Sequence, residues 1–62
     1  MNSLYQNLVT VINAANRDLE DGTMTQGQYD AKMKSTLKKM NLFVKRKAIT
    51  QEQYDELKAK MK

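Results

Sequence analysis

The stretch Met24-Thr25-Gln26-Gly27-Gln28-Tyr29-Asp30 returns further along the chain as Ile49-Thr50-Gln51-Glu52-Gln53-Tyr54-Asp55. Both copies spell the start of a helix. A threonine hydroxyl oxygen at the N-cap accepts from a backbone N–H that the first turn leaves unpaired. Three residues on, Gln28 and Gln53 can reach back to the cap N–H and complete a capping box. An apolar residue before each cap (Met24, Ile49) faces a tyrosine four residues after it (Tyr29, Tyr54). That spacing is a hydrophobic staple, which sets the angle at which the chain enters the helix. Asp30 and Asp55 sit near the positive end of the helix dipole. Each cap contributes about 1 kcal/mol, a noticeable share for so small a domain.

The match extends upstream at the same offset. Leu8, Ile12, Ala15, Asn16 and Leu19 fall over Met33, Leu37, Met40, Asn41 and Val44. The repeated unit, about 8–31 and about 33–56, is the end of one helix, a short turn, and the start of the next. Good caps use few residue types, so convergence accounts for part of the likeness; Thr, Gln, Gln, Tyr and Asp all in register favour duplication. The expected fold is all-α: a single three-helix domain over 1–62, with helices at about 3–20, 26–46 and 51–61. Short connections make the neighbours antiparallel, and two units are too few for a solenoid.

Composition agrees. The 62 residues make one domain near the lower limit for folding without staples. Cysteine and histidine are both absent, which removes disulfides and the commonest metal ligands. No apolar run approaches the length of a bilayer span, and Asn7, Asn13 and Asn16 interrupt any signal-like core. The expected location is cytoplasmic, with no membrane partner. Charge is segregated. Residues 1–31 set Arg17 against Asp18, Glu20, Asp21 and Asp30, a net −3; residues 32–62 set ten bases against Glu52, Asp55 and Glu56, a net +7.

In the first helix, Ser3 and Gln6 offer a third capping box, and Leu4, Leu8, Ile12, Ala15 and Leu19 form an apolar stripe widened by Tyr5, Val9 and Val11. That stripe is broad enough to touch both other helices, or one of them and a second copy of the chain. Gly22 can take the left-handed conformation that ends a helix. Lys47 holds the matching place in the second turn, where left-handed geometry costs a non-glycine residue about 1 kcal/mol, so the second turn is expected to differ. In the second helix Tyr29, Met33, Leu37, Met40, Phe43 and Val44 share one face, Gly27 leaves room for a close neighbour, and Asn41 is a point of local weakness. The third helix has a narrow stripe, Tyr54, Leu57 and Met61, and must dock to persist. Its tail, Lys58–Lys62, is expected to fray.

Catalytic chemistry is hard to build from these residues. Asp18, Glu20 and Asp21 cluster within a turn without the spacing of a metal loop, and read as a solvated acidic helix end. No cofactor, metal or small-molecule substrate is implied, and the chain reads as a non-enzyme. The basic run is the stronger signal. Lys45, Arg46 and Lys47 close the second helix, and Lys34 and Lys38 extend the positive face opposite the apolar one. Such a face suits phosphate contact with a nucleic-acid backbone; equally, it is a solvated surface with cations well placed at a helix carboxyl end. Base reading is disfavoured, since Glu52, Asp55 and Glu56 open the third helix and the tyrosines are committed to the staples. Leu42 falls on the lysine face. A lone exposed leucine is ordinary, yet one flanked by cations offers a seat for a partner helix.

At Asp21-Gly22-Thr23-Met24-Thr25 through Tyr29, and again at Lys47-Ala48-Ile49-Thr50 through Leu57, the chain resembles the short C-terminal (SHOCT-like) helical modules of bacterial proteins. Those read as a glycine-led turn, Ile-Thr, an acidic or glutamine pair, then an aromatic on a helix. The second copy is also similar to the end of small phage proteins of the XkdX type. The resemblance implies a small bacterial or phage module that works by binding or self-association, with no catalytic residues to carry over. The chain departs from the pattern in having two copies and Lys47 in place of the second glycine. The expected function is protein–protein interaction or self-association through the first helix or the Leu42 region. The alternatives are nucleic-acid backbone binding through Lys34, Lys38, Lys45, Arg46 and Lys47, and inhibition of a host enzyme.

Overall fold

The computed structural model describes residues 3–62 as three helices, α1 (Ser3–Asp21), α2 (Gln26–Lys45) and α3 (Gln51–Lys60), each packed against both others. The bounds fall within a residue or so of those read from the caps. Both boxes close as expected. Gln28 N–H donates to Thr25 Oγ1 at 3.1 Å while Thr25 N–H donates to Gln28 Oε1 at 2.9 Å. The second box repeats this, with Gln53 N–H to Thr50 Oγ1 at 3.0 Å and Thr50 N–H to Gln53 Oε1 at 2.9 Å.

Cross-helix bonds give the directions. The Tyr29 hydroxyl, at the start of α2, donates to Asn16 Oδ1 near the end of α1, so these two helices are antiparallel. Tyr5 Oη donates to Glu56 Oε2 at 2.8 Å, and Asn16 Nδ2 donates to the Lys60 carbonyl at 2.8 Å, so α3 returns alongside α1. The core between them holds Leu8, Ile12 and Ala15 of α1, Tyr29, Met33 and Met40 of α2, Ile49 of the second corner, and Leu57 of α3. Leu4, Tyr5, Val9, Leu19, Met24, Leu37, Phe43, Val44, Tyr54 and Met61 close around it, half-buried. Burying an aliphatic or aromatic side chain is worth about 1.5–3 kcal/mol, and α3, ten residues long, depends on that docking.

One point left open by the sequence is answered, and several expectations are corrected. α2 runs unbroken through Asn41; an exposed asparagine costs a helix only some tenths of a kcal/mol, and buried Met40 and half-buried Val44 on either side hold the segment down. Lys47 is left-handed after all, with φ 60° against 80° for Gly22. The Ala48 N–H donates to the Phe43 carbonyl at 2.8 Å and the Lys47 N–H to the Val44 carbonyl at 3.0 Å. This pair of bonds is the Schellman closure of a helix end, and it holds the lysine in a conformation it would not choose. The carboxyl end is anchored, since Lys62 N–H donates to Tyr29 Oη at 2.8 Å and Lys62 Nζ pairs with Glu20. Gly27 admits no neighbour, because the nearest atom to an added Cβ would be the Thr25 hydroxyl oxygen at 4.0 Å. Ser3 is the first described residue of α1 and is helical, where it was expected to cap the helix. Val11, expected to widen the α1 stripe, is 37% exposed, whereas Thr36 is buried. The Thr36 hydroxyl is satisfied within its own helix by the Lys32 carbonyl at 2.8 Å, which removes the desolvation penalty of an unpaired hydroxyl.

Candidate interaction surface

With Tyr29, Met33 and Met40 turned into the core, the 3.6-residue period directs the opposite side of α2 to solvent. Lys34, Lys38, Leu42 and Lys45 lie there, all exposed. Arg46 is the C-cap of α2, with φ −84° and ψ 0°, and its N–H donates to the Leu42 carbonyl at 3.0 Å. Arg46 and Lys47 are exposed too, so the six residues singled out from the sequence form one continuous strip along α2 and into the second corner.

Two residues belong with them that the run of motifs did not bring out, Lys32 and Lys39, both exposed. They flank the strip, and a wheel drawn over all of α2 would have found them. The helix then carries Lys32, Lys34, Lys38, Lys39 and Lys45 against the single carboxylate of Asp30. Asp30 in turn accepts from Gln26 Nε2 at 2.8 Å. Among the described residues none of these cations forms an ion pair; the one recorded pair joins Lys62 to Glu20. Like charges at i,i+4, such as Lys34 and Lys38, disfavour the helix by about 0.2–0.5 kcal/mol. A partner with negative charge relieves that repulsion. Leu42, 44% exposed, is an apolar spot inside the cationic field.

The remaining sequence candidates serve the fold. Thr25, Gln28, Thr50 and Gln53 are used in the two boxes, and Tyr29 and Tyr54 belong to the core and its border. Tyr29 does more than staple. It joins α1 and the end of α3 through Asn16 and Lys62, a junction visible in the sequence only as an asparagine beside an apolar stripe. Tyr5 has its hydroxyl pKa raised above the ordinary value near 10, first by its hydrogen bond to Glu56, then by burial and by the Glu56 charge. The described residues hold no group of three potential metal ligands and enclose no pocket, and no described helix is long and apolar enough to cross a membrane. The candidate site is an exposed, charged face of α2. The chain matches no protein-family model, no curated protein and no solved structure.

Proposed function

We propose that this chain is a small non-enzymatic interaction module that engages a protein partner through the outer face of α2. The observation that carries the reading is an exposed leucine, Leu42, set among Lys38, Lys39, Lys45 and Arg46 on a face that no described part of the chain covers. An apolar anchor surrounded by charge gives a contact both affinity and orientation. The test compares capture from cell lysate by the wild type, by Leu42→Asp and by the triple variant Lys34→Glu/Lys38→Glu/Lys45→Glu, with nuclease present. Nuclease-resistant partners held by the wild type should be lost from both variants, with affinity falling at least about tenfold. Equal capture by all three proteins would contradict the reading.

One observation favours a second reading, binding to a nucleic-acid backbone: Lys34, Lys38, Lys45, Arg46 and Lys47 have no carboxylate paired with them among the described residues. Titration against duplex and single-stranded DNA at about 50 and about 200 mM salt separates the two, because phosphate contacts release counterions and weaken steeply as salt rises. Binding that is absent or insensitive to salt would end this second reading.

A further inference from the structure

Two large apolar side chains stand exposed among the described residues, Leu42 on α2 and Val11 on α1. They lie in fields of opposite sign. Leu42 is surrounded by lysines, whereas Val11 shares one edge of α1 with half-buried Asp18, seven residues on, and precedes the acidic end that exposed Asp21 closes. That end is electrostatically unfavourable within its own helix. The carboxyl terminus of α1 carries no base in its last turn, so its acids oppose the negative end of the dipole. Glu20 is paired with Lys62; Asp18 and Asp21 have no ion pair among the described residues.

Resting on the α2 outer face as the working surface, we infer that its occupant is the outer face of α1 from a second copy of this chain, laid antiparallel to α2. Leu42 of one copy meets Val11 of the other. At about 1.5 Å per residue, Asp18 and Asp21 lie about 10 and about 15 Å beyond Val11, while Lys34 and Lys32 lie about 12 and about 15 Å before Leu42. Antiparallel helices bring both acids to the flank and level of Lys34, with Lys32 at the same level on the other flank of Leu42. A parallel arrangement instead carries the acids past the cations of the second corner, since Lys45, Arg46 and Lys47 lie only about 4 to 8 Å beyond Leu42. The contact joins two different faces, so each copy has one of each to offer.

Sedimentation and small-angle scattering of the whole chain, over a concentration series at low and high salt, test this with two charge-reversed variants. Asp18→Lys/Asp21→Lys reverses the α1 face and Lys32→Glu/Lys34→Glu the α2 face; circular dichroism checks that each is folded. The wild type should exceed the monomer mass at high concentration and dissociate as salt rises. Each variant alone should associate at least about tenfold more weakly, and mixing the two should restore association, because the reversed faces are again complementary. A wild type that stays monomeric at every concentration, or a mixture no stronger than its components, overturns the inference. If the wild type is monomeric yet still captures nuclease-resistant partners in a Leu42-dependent way, self-association is wrong and the interaction reading stands. If Lys32→Glu/Lys34→Glu and Leu42→Asp alter neither association nor capture, both are wrong.

Discussion

The two corners of this molecule share a local script and differ in what they do with it. Each has a threonine cap, a reciprocal glutamine, a left-handed residue closing the preceding helix, and a glutamine-to-aspartate bond in the next turn, Gln26 to Asp30 at 2.8 Å and Gln51 to Asp55 at 3.1 Å. The apolar pair across the cap is then used in opposite ways. In the first corner Tyr29 is fully buried and Met24 half-buried; in the second Ile49 is buried and Tyr54 half-buried. Local hydrogen bonding needs only the cap residues, so it repeats. Burial depends on what stands across the core, and the first corner faces the ends of both α1 and α3. The same capping signal can thus begin a helix anywhere, while tertiary position decides which half of the staple becomes core.

The largest expected contrast is truncation of the two tyrosines. Tyr29→Ala should cost about 3–5 kcal/mol, enough to threaten folding, whereas Tyr54→Ala should cost roughly half that, since it empties a half-buried site. Urea melts of both variants measure the difference, and equal losses would remove it. Next comes the hydroxyl alone. Tyr29→Phe leaves Asn16 Oδ1 and the Lys62 N–H without their partner and should cost about 1–3 kcal/mol, while Tyr54→Phe should change stability by less than about 0.5 kcal/mol.

The helix ends give a contrast of opposite sign. Lys47→Gly relieves a left-handed lysine and should stabilise by up to about 1 kcal/mol, whereas Gly22→Ala imposes that strain and should cost about as much. Because no atom lies within 4 Å of an added Cβ at Gly22, the loss would be conformational. Thermal melts read both; a destabilised Lys47→Gly would show that the lysine is held by contacts rather than tolerated. The smallest effect belongs to Tyr5. Its raised pKa means that the folded state holds the phenolic proton more tightly than the unfolded chain. The contribution is therefore complete below pH 10 and lost as pH rises through the folded-state value. Tyr5→Phe should flatten that part of an alkaline stability profile, and an unchanged profile would exclude it.

Much of the architecture could be read directly from residues. Caps and staples are short-range, so Thr25 and Thr50 place two helix starts, and the apolar period places Met33, Met40 and Leu57 inside and Lys34, Lys38 and Lys45 outside. What escaped depends on neighbours distant in sequence. Val11 and Thr36 occupy matching places in the repeat, and chemistry alone would bury the valine; the threonine is buried instead, on the same face of α2 as Met33 and Met40, with its hydroxyl satisfied by the Lys32 carbonyl. The Asn16 junction needs the end of α3 brought back to α1, which no local pattern announces. Lys47 reads as a poor helix terminator by propensity, yet Ile49 is drawn into the core and the corner closes around the lysine.

The tyrosine junction also fixes which way α2 is turned, and so which side carries the lysines and Leu42. A double-mutant cycle on Asn16→Ala and Tyr29→Phe, set beside the repeat-equivalent cycle on Asn41→Ala and Tyr54→Phe, tests that arrangement most directly. Stability from urea melts should show a coupling of about 0.5–3 kcal/mol for the first pair and, within about 0.3 kcal/mol, none for the second. Equal coupling in the two pairs, or coupling confined to Asn41 and Tyr54, would contradict it and would turn the lysine face away from where the proposed partner docks.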